Sequence, residues 1–382
     1  MDYVILVRMS GEITLKSPGV VKSWINMLMR NIGHRLYRKG MRAKNMFYRA
    51  GRIIFEFEGD PTEACTETSR VFGVREAILC IRVPNDIESI SNVAIDMARN
   101  WTGTFAVRTN RYKEYPYTSL QVNAMIGEKI LEANKNLKVD LMDPDNLLEI
   151  EIREDHAFIY KEKRRGFGGL PYGVSGKAVA LCSGGIDSSL AAWLMMKRGM
   201  KIVLVHAVLS PYYSNEAKER FYDAYEWLRG WVPSGRLKAY LVPIGDIHSR
   251  VRLPALKYRC IFCKMLMFRI AEYIAKIERA HALVTGEVLS QVASQTPPNI
   301  LAIDSVVDIP VFRPVIYMDK DEIDHMAQKI GLYKIVARDV GKCRLVPKTP
   351  ATSVDPETAR KLSSIITDKI LVEAVERAEK VK

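Results

Sequence analysis

The sequence predicts an α/β protein with a mixed N-terminal part and a C-terminal doubly wound parallel sheet. Three observations support this class. Short apolar runs alternate with helical patterns through the second half of the chain, and a turn rich in glycine and serine joins the first of these runs to a helix. The first half shows strand–helix–strand groups without that regular alternation. At 382 residues the chain suits two or three domains.

Residues 1–60 have the pattern of a small α+β unit. The apolar run at 3–9 predicts a buried strand, and Pro18 is placed to open a helix that continues to about Lys39. The alternating run RIIFEFEG at 52–59 predicts a second strand.

A second unit is predicted over residues 61–168. Its elements are a strand at 75–83, a helix at 86–101, a strand at 104–111, a helix at 118–135 and a hairpin formed by 147–155 and 156–166. The stretch RRGFGGLPYGVSG at 164–176 is rich in glycine and basic charge, and we interpret it as the linker to the third unit.

The third unit, residues 169–382, contains repeated strand–helix pairs. Short apolar strands are predicted within 177–185, 200–208, 237–245 and 281–287, each followed by a helical pattern. This alternation favours a parallel sheet with helices on both faces, and ligands of such sheets bind at the carboxyl ends of the strands.

The stretch ALCSGGIDSS at 180–189 follows the first of these strands and has the features of a phosphate-binding loop. Gly184 and Gly185 allow a tight turn, the next helix offers unpaired N–H groups, and Ser183, Ser188 and Ser189 add hydroxyl donors. Neither the Walker A pattern nor the dinucleotide G-x-G-x-x-G pattern is present. SGGIDS resembles the pyrophosphate loop of ATP α-hydrolases, which would place Asp187 against Mg²⁺. The plainer alternative is an Asp-capped helix behind a glycine turn.

Further stretches narrow the family. Together with SGGIDS, the segments GEITLKS (11–17), TGEVLSQVASQT (285–296), RPVIYMDKDEI (313–323) and GKCRLVPKTPATS (341–353) resemble the tRNA 4-thiouridine synthetases. The stretch FAVRTNRYKEYPYTSLQVN at 105–123 resembles the RNA-binding THUMP domain of those enzymes. The resemblance implies a ferredoxin-like domain at 1–60, a THUMP domain at 61–168 and a PP-loop pyrophosphatase domain at 169–382.

The resemblance also implies an activity. ATP would adenylate O4 of a tRNA uridine, at position 8, and sulfur would then replace that oxygen as AMP leaves. By position, the nucleotide contacts would be Leu181, Cys182, Ser183, Gly184, Gly185, Asp187, Ser188, His206, Ala207, Lys264, Gly286 and Gln295. The catalytic residues would be Asp187, Lys320 and Cys343. For Lys320 the alternative is a surface lysine at a helix cap.

The sulfur chemistry is the least defined part of the prediction. Many bacterial relatives carry a C-terminal rhodanese domain, whereas a helix is predicted over 355–380 here, so we expect an archaeal-type member without that domain and doubt a role in thiamine thiazole synthesis. Cys260 and Cys263 begin a predicted helix beside Arg259 and Lys264, which should lower the thiol pKa values. With Cys343 they could hold a [4Fe–4S] cluster with an open iron. The alternative is a redox pair that resolves a persulfide on Cys343.

The charge distribution predicts contact with a polyanion. The net charge is +13, and residues 1–50 contain ten Lys or Arg against two acids, whereas residues 51–150 contain eleven against sixteen. Candidate RNA contacts near the N-terminus are Lys16, Lys22, Arg30, Arg35, Arg38, Lys39 and Arg42. In the second unit they are Arg108, Arg111, Tyr112 and Lys113.

The remaining expectations concern location and partners. The sequence shows no run of about 18 apolar residues and no signal-peptide pattern, and its six cysteines form no dense framework, so we expect a cytoplasmic protein without membrane contact. The expected partners are tRNA, a second copy of the chain, and a sulfur donor that is free sulfide or a cysteine desulfurase persulfide.

Two other functions stay open from the sequence alone. One is thiolation of a different tRNA base, or amide formation, by the same ATP-using loop. The other is a tRNA-binding protein without catalysis, in which the loop is a relic.

Overall fold

The computed structural model describes residues 2–381, which form two compact units that divide after Pro171. Both units contain mixed α/β structure, as the sequence predicts. None of the helices in this described part of the chain is long and apolar enough to cross a membrane.

The first unit is built on one nine-stranded sheet. Its strands run in the order β2-β3-β1-β4-β8-β7-β5-β6, and β9 pairs with β4. The strands are β1 (Tyr3–Met9), β2 (Arg42–Arg49), β3 (Arg52–Glu58), β4 (Val74–Pro84), β5 (Thr104–Arg111), β6 (Lys138–Val139), β7 (Asn146–Ile152), β8 (His156–Tyr160) and β9 (Lys163–Arg165). The helices are α1 (Gly11–Thr14), α2 (Pro18–Tyr37), α3 (Pro61–Ser69), α4 (Ile87–Ala98) and α5 (Ser119–Ala133).

Packing in the first unit follows the predicted periodicities. The predicted hairpin is present, since β7 and β8 pair antiparallel, and α4 and α5 bury their apolar faces against β5 and β7. The strand β2 was not predicted from the sequence. Most of its residues are exposed at the edge of the sheet, so no apolar alternation marks it, and a bulge between Lys44 and Phe47 interrupts its pairing with β3.

The second unit contains the predicted parallel sheet. Its order is β14-β13-β10-β11-β12-β15, and every pair is parallel except β12 with β15. The strands are β10 (Lys177–Leu181), β11 (Lys201–Val208), β12 (Lys238–Pro243), β13 (Leu283–Val284), β14 (Val311–Phe312) and β15 (Glu379–Val381). The helices are α6 (Ile186–Lys197), α7 (Asn215–Trp231), α8 (Gly245–Arg250), α9 (Arg259–Glu278), α10 (Pro297–Asp304), α11 (Lys320–Lys329), α12 (Tyr333–Val336), α13 (Pro356–Ser364) and α14 (Asp368–Glu376).

The strand order positions the candidate site. The chain leaves β10 toward β11 and β12, then returns to the other side of β10 with β13 and β14. Strand order therefore reverses at β10, and the crevice at its carboxyl end is where such folds bind ligands. The apolar core behind the crevice includes the largely buried helix α9.

The C-terminal segment differs from its prediction. Instead of one helix over 355–380, the chain forms α13, a break, α14 and then the edge strand β15. Glu379 in β15 receives hydrogen bonds from Lys218 and Tyr222 of α7 at 2.9 and 2.6 Å. These contacts and the β12 ladder hold residues 379–381 extended although their sequence pattern continues the helical one.

Candidate active site

The predicted phosphate loop joins β10 to α6 at the carboxyl edge of the sheet. The Ser188 hydroxyl accepts a hydrogen bond from the Ser183 backbone N–H at 3.1 Å, and the Ser183 hydroxyl accepts one from the Gly185 N–H at 3.3 Å. These contacts hold the serine hydroxyls beside the N-terminus of α6, where unpaired N–H groups and the helix dipole favour an anion.

Two glycines allow close backbone packing around this loop. Gly184 has a φ of +79°, and a Cβ placed on it would lie 2.6 Å from the backbone N and Cα of Phe221. A Cβ on Gly286 would lie 2.4 Å from the Ser188 backbone nitrogen. Both contacts would be with backbone atoms, so the loop packs closely against α7 on one side and against the turn after β13 on the other.

A cavity of about 260 Å³ opens beside the loop. Nine of the twelve residues predicted to contact the nucleotide line it, namely Leu181, Cys182, Ser183, Ser188, His206, Ala207, Lys264, Gly286 and Gln295. The other three, Gly184, Gly185 and Asp187, lie in the loop or in the first turn of α6. The sequence did not single out the further lining residues Val205, Leu209, Tyr213, Met267, Phe268, Thr285 and Glu287.

His206 forms one wall of the cavity and is held in a neutral state. Its Nδ1 lies 2.9 Å from the Cys182 carbonyl oxygen, to which it donates, and its ring stacks on Phe221 with centroids 4.5 Å apart. Burial, and then the charge of Arg220, lower the pKa of His206 to about 4. The ring therefore presents an uncharged surface, and an acceptor at Nε2, to a ligand at neutral pH.

A buried ion-pair network forms another wall. The Glu287 carboxylate lies 2.6 Å from the Lys264 ammonium and 2.8 Å from the Arg313 guanidinium, and it accepts a hydrogen bond from Thr285 at 3.2 Å. Burial alone would raise the pKa of Glu287, but the charges of Lys264 and Arg313 outweigh it and lower the pKa. Lys264, a predicted nucleotide contact, is therefore held at a fixed position by a carboxylate that the sequence did not single out.

The two predicted catalytic groups Asp187 and Lys320 lie within electrostatic reach of each other. Burial chiefly raises the pKa of Asp187, and Asp324 adds to the shift, whereas a hydrogen bond with Gln291 and the charge of Lys320 oppose it. Lys320 is the first residue of α11 and is exposed, behind an Asp319–Glu322 capping box. The alternative prediction, that Lys320 is a surface lysine at a helix cap, gives its location correctly. The hydrogen bonds of the cap, however, are made by Asp319 and Glu322.

The three thiols predicted to handle sulfur are free and half-buried. They lie close enough to interact electrostatically, because repulsion from Cys343 contributes to the raised pKa values of both Cys260 and Cys263. Our expectation of lowered thiol pKa values at this helix N-terminus is wrong for Cys260 and Cys263. Burial is the largest cause, and it raises the Cys263 pKa to about 12 despite the nearby Lys264.

The predicted metal site is not assembled as such. Between residues 2 and 381, no group of three or more His, Cys, Asp or Glu side chains is arranged to hold a metal ion. The thiols supply the correct donor chemistry for an iron–sulfur cluster, but their arrangement here does not form its ligand set.

The predicted RNA contacts occupy two places in the first unit. Lys16, Lys22 and Arg30 are exposed on or just before α2, and the Lys16 ammonium lies 5.7 Å from the centroid of the Trp24 ring. The prediction that Arg35 contacts RNA is wrong, because Arg35 is buried and pairs with Glu67 at 2.5 Å.

The second group of RNA candidates lies at the carboxyl end of β5 and just beyond it. Arg108, Arg111, Tyr112 and Lys113 are all exposed. Cationic groups of Lys113 and Arg153 lie 5.4 and 5.6 Å from the Tyr112 ring centroid, so basic charge and a stacking surface occur together.

Comparisons with known proteins agree with this geometry. The family model described as Thiamine biosynthesis protein (ThiI) matches residues 173–367, the THUMP domain matches 84–162, and the ThiI ferredoxin-like domain matches 4–77. A probable tRNA sulfurtransferase of Caldanaerobacter subterraneus is 41% identical and covers 92% of each chain. One from Methanosarcina mazei is 38% identical over 91% of this chain and 87% of its own. The crystal structure of a 4-thiouridine synthetase–RNA complex with bound ATP superposes with a TM-score of 0.87, at 33% identity, covering 100% of this chain and 99% of the other.

Proposed function

The chain belongs to the tRNA sulfurtransferase (ThiI) family, and from this premise we propose that it uses ATP to convert uridine 8 of tRNA to 4-thiouridine. One observation carries the proposal: the glycine–serine loop lies at the reversal point of a parallel sheet and borders the 260 Å³ cavity. The division into domains 1–60, 61–168 and 169–382 is part of the proposal.

The first step is adenylation of the uridine. The O4 oxygen attacks the α-phosphorus of ATP, the bond to the β-phosphate oxygen breaks, and pyrophosphate leaves. Ser183, Ser188 and the first N–H groups of α6 bind the phosphates, because hydroxyl and amide donors surround that position. Lys320 contributes a cation near Asp187 that offsets negative charge as it develops on the phosphates.

Mg²⁺ is the metal that this step implies. Magnesium in nucleotide sites is held by one or two carboxylates together with substrate phosphates, so an assembled three-carboxylate group is not required. Asp187, half-buried at the loop and electrostatically coupled to Asp324, fits this donor set. The ion would supply charge neutralisation at the phosphates.

The second step is sulfur transfer. A sulfur nucleophile attacks C4, a carbon–sulfur bond forms, and AMP leaves with the former O4. We propose that Cys343 acts here with Cys260 and Cys263, since the three thiols share one electrostatic environment. This chemistry can take two forms. Free sulfide would be the donor to a [4Fe–4S] cluster, whereas a desulfurase persulfide would be the donor to a relay. In the relay the outer sulfur of a Cys343 persulfide attacks C4, Cys260 or Cys263 then cleaves the resulting disulfide bond to release 4-thiouridine, and an external thiol reductant reopens the protein disulfide that forms.

The partners and the location follow the same proposal. We propose that tRNA binds the exposed basic groups of α2 and β5, that the enzyme is a homodimer, and that it works in the cytoplasm. All six cysteines are free thiols, which is the state expected in a reducing compartment.

The test is a reaction of tRNA with protein, Mg-ATP and a sulfur donor, with sulfide in one set of reactions and a cysteine desulfurase with cysteine in another, followed by nucleoside mass spectrometry and measurement of AMP. Wild type should form 4-thiouridine and AMP together. Asp187→Ala should lose both products, and Cys343→Ala should lose 4-thiouridine. Cys65→Ala, which changes a buried thiol of the first unit, serves as the control. Wild-type protein that forms no thionucleoside would contradict the proposed function. Iron and sulfide analysis of protein purified without oxygen separates the cluster from the relay.

A further inference from the structure

Arg220, on α7, places a positively charged side chain beside the phosphate loop, and this residue was given no role from the sequence alone. One of its guanidinium nitrogens, Nη2, lies 3.6 Å from the position that a Cβ would occupy on Gly185, the N-cap of α6. Its Nε is buried and has no hydrogen-bond partner, and none of the ion pairs in residues 2–381 includes Arg220. Arg220 as a whole is only half-buried, but an N–H donor that is buried without a partner costs free energy, and a bound ligand that accepts from it would remove that cost.

The position of Arg220 is fixed by its neighbour Phe221. The Phe221 backbone packs against Gly184, and the Phe221 ring stacks on His206 in the cavity wall. Since α7 cannot slide along the loop without breaking these contacts, Arg220 is held beside the place where phosphates would bind. Its charge also reaches the cavity, because it contributes to the lowered pKa of His206.

Arg220 also contacts the segment that leads to Cys343. Its Nη1 donates a hydrogen bond to the Arg338 carbonyl oxygen at 3.3 Å, and Arg338 itself pairs with Asp223 of α7. Further along the segment, the Ser214 hydroxyl donates to the Val340 carbonyl at 2.9 Å.

The attachment continues to the residue after Cys343. The Arg344 backbone N–H donates to the Tyr212 carbonyl at 2.9 Å, and the Arg344 side chain donates to the Pro211 carbonyl. Residues 338–344, which include Cys343, are therefore held against residues 211–223, and Arg220 stands between that segment and the phosphate loop.

We propose that Arg220 binds the phosphates of ATP and, through the Arg338 carbonyl, links nucleotide binding to the position of the Cys343 segment. The proposal deepens the proposed function and rests on ATP being the ligand of the loop. A guanidinium suits both tasks, since it can bind phosphate oxygens in a bidentate manner and still donate to a carbonyl. It also takes the place of the loop lysine that other phosphate-binding loops possess.

The test compares Arg220→Met and Arg220→Lys with Arg229→Met. Arg229 lies on the same helix, is half-buried like Arg220, and pairs with Glu226, so it is a matched control. Three quantities are measured for each full-length protein: ATP affinity by calorimetry, the single-turnover rate of AMP formation with tRNA, and the rate at which iodoacetamide alkylates Cys343 with and without a non-hydrolysable ATP analogue.

Loss of a charged hydrogen bond to phosphate predicts about 10- to 100-fold weaker ATP binding in Arg220→Met and a smaller loss in Arg220→Lys. The analogue should change the alkylation rate of Cys343 in wild type and in Arg229→Met, and should leave it unchanged in Arg220→Met. Thermal melting shows whether Arg220→Met is folded. If it is not, Arg220→Lys is compared with wild type in its place. ATP binding and an alkylation response equal to wild type in the Arg220 variants would overturn the inference. Wild-type protein that does not bind ATP would instead refute the proposed function.

Discussion

The Glu287 carboxylate bridges Lys264 and Arg313 in the wall of the nucleotide cavity, at 2.6 and 2.8 Å. Glu287→Gln would leave two partly buried cations facing each other, and loss of one member of such a network costs on the order of 3 kcal/mol. We expect urea unfolding at pH 7 to show this loss. Glu357→Gln, which breaks an exposed pair with Lys361, should cost less than about 1 kcal/mol. Equal effects in the two variants would show that the network adds no stability.

The contact between Gly286 and the start of α6 predicts that Gly286→Ala impairs ATP binding. The new methyl group would lie 2.4 Å from the Ser188 nitrogen and must push the turn away from the phosphate loop. We expect calorimetry to show at least tenfold weaker ATP binding. Gly230→Ala on α7 is the control, because a Cβ there meets nothing within 4 Å. If Gly286→Ala binds ATP as tightly as wild type, the turn at Gly286 can move away from the start of α6 without weakening ATP binding.

The coupling of Asp187 to Asp324 predicts a shift in the pH profile of adenylation. Asp324 raises the Asp187 pKa, so removing its charge in Asp324→Asn should lower that pKa. Since the ionised form of Asp187 is the active one in our proposal, the acidic limb of kcat/KM for AMP formation should move to lower pH. Asp321→Asn, on the same helix, should leave the limb in place. A shift to higher pH would contradict the assignment.

The buried ring of His248 predicts acid-sensitive stability. Neither ring nitrogen has a hydrogen-bond partner, and burial, with the charge of Arg259, lowers its pKa to about 4. Between that value and its ordinary pKa of about 6.5, the unfolded chain binds a proton that the folded chain does not. Stability should therefore fall as the pH drops from 6.5 toward 4.

The corresponding variant is His248→Leu, which should be less sensitive to this pH change than wild type by on the order of 2 kcal/mol. Chemical denaturation at pH 7.5 and pH 5 measures the difference. Replacing the exposed His156 by Gln should have no such effect. Identical pH dependence in His248→Leu and wild type would exclude His248 as the source.

The thiols of α9 should differ in reactivity. Burial raises the pKa of Cys263 to about 12 and also raises that of Cys260, so both contain little thiolate at pH 8. In protein freed of metal by a chelator, we expect iodoacetamide to modify Cys263 several-fold more slowly than Cys260, as quantified by peptide mass spectrometry. If anaerobically purified protein holds a cluster, both thiols should be protected before chelation. Faster modification of Cys263 would contradict its burial.

Several features were accessible from the sequence because they depend on local patterns. A continuous apolar run located β1, apolar alternation located β3, strand-like runs located the β7–β8 hairpin, and the glycines and serines located the loop. Features that depend on tertiary surroundings were not accessible. The edge strands β2 and β15 lack an apolar face. For β15, the partner contacts that hold it extended also lie far away in the chain. The predicted shift of the Cys260 and Cys263 pKa values had the wrong direction, because the sequence shows the nearby lysine but does not show that the thiols are buried.

In the candidate site, too, residues that belong to local motifs were predicted, and residues that depend on tertiary contacts were not. Residues within motifs were identified by their order, and most of them line one cavity. Glu287 follows Gly286 directly and could have been noticed as an acid inside the motif TGEVLSQVASQT. Arg220 had no such signal, since its importance arises only from the register of α7 against the glycine turn.

The pairing of β1 with β4 has a practical meaning for dissecting the N-terminal half. Seven residues of β1 align with β4, which lies beyond residue 60, so the two proposed RNA-binding domains share one hydrogen-bonded ladder. A fragment cut between them would expose two long apolar strand edges, which are templates for aggregation. Fragments meant for isolated RNA-binding work should therefore keep the whole sheet, through Pro171.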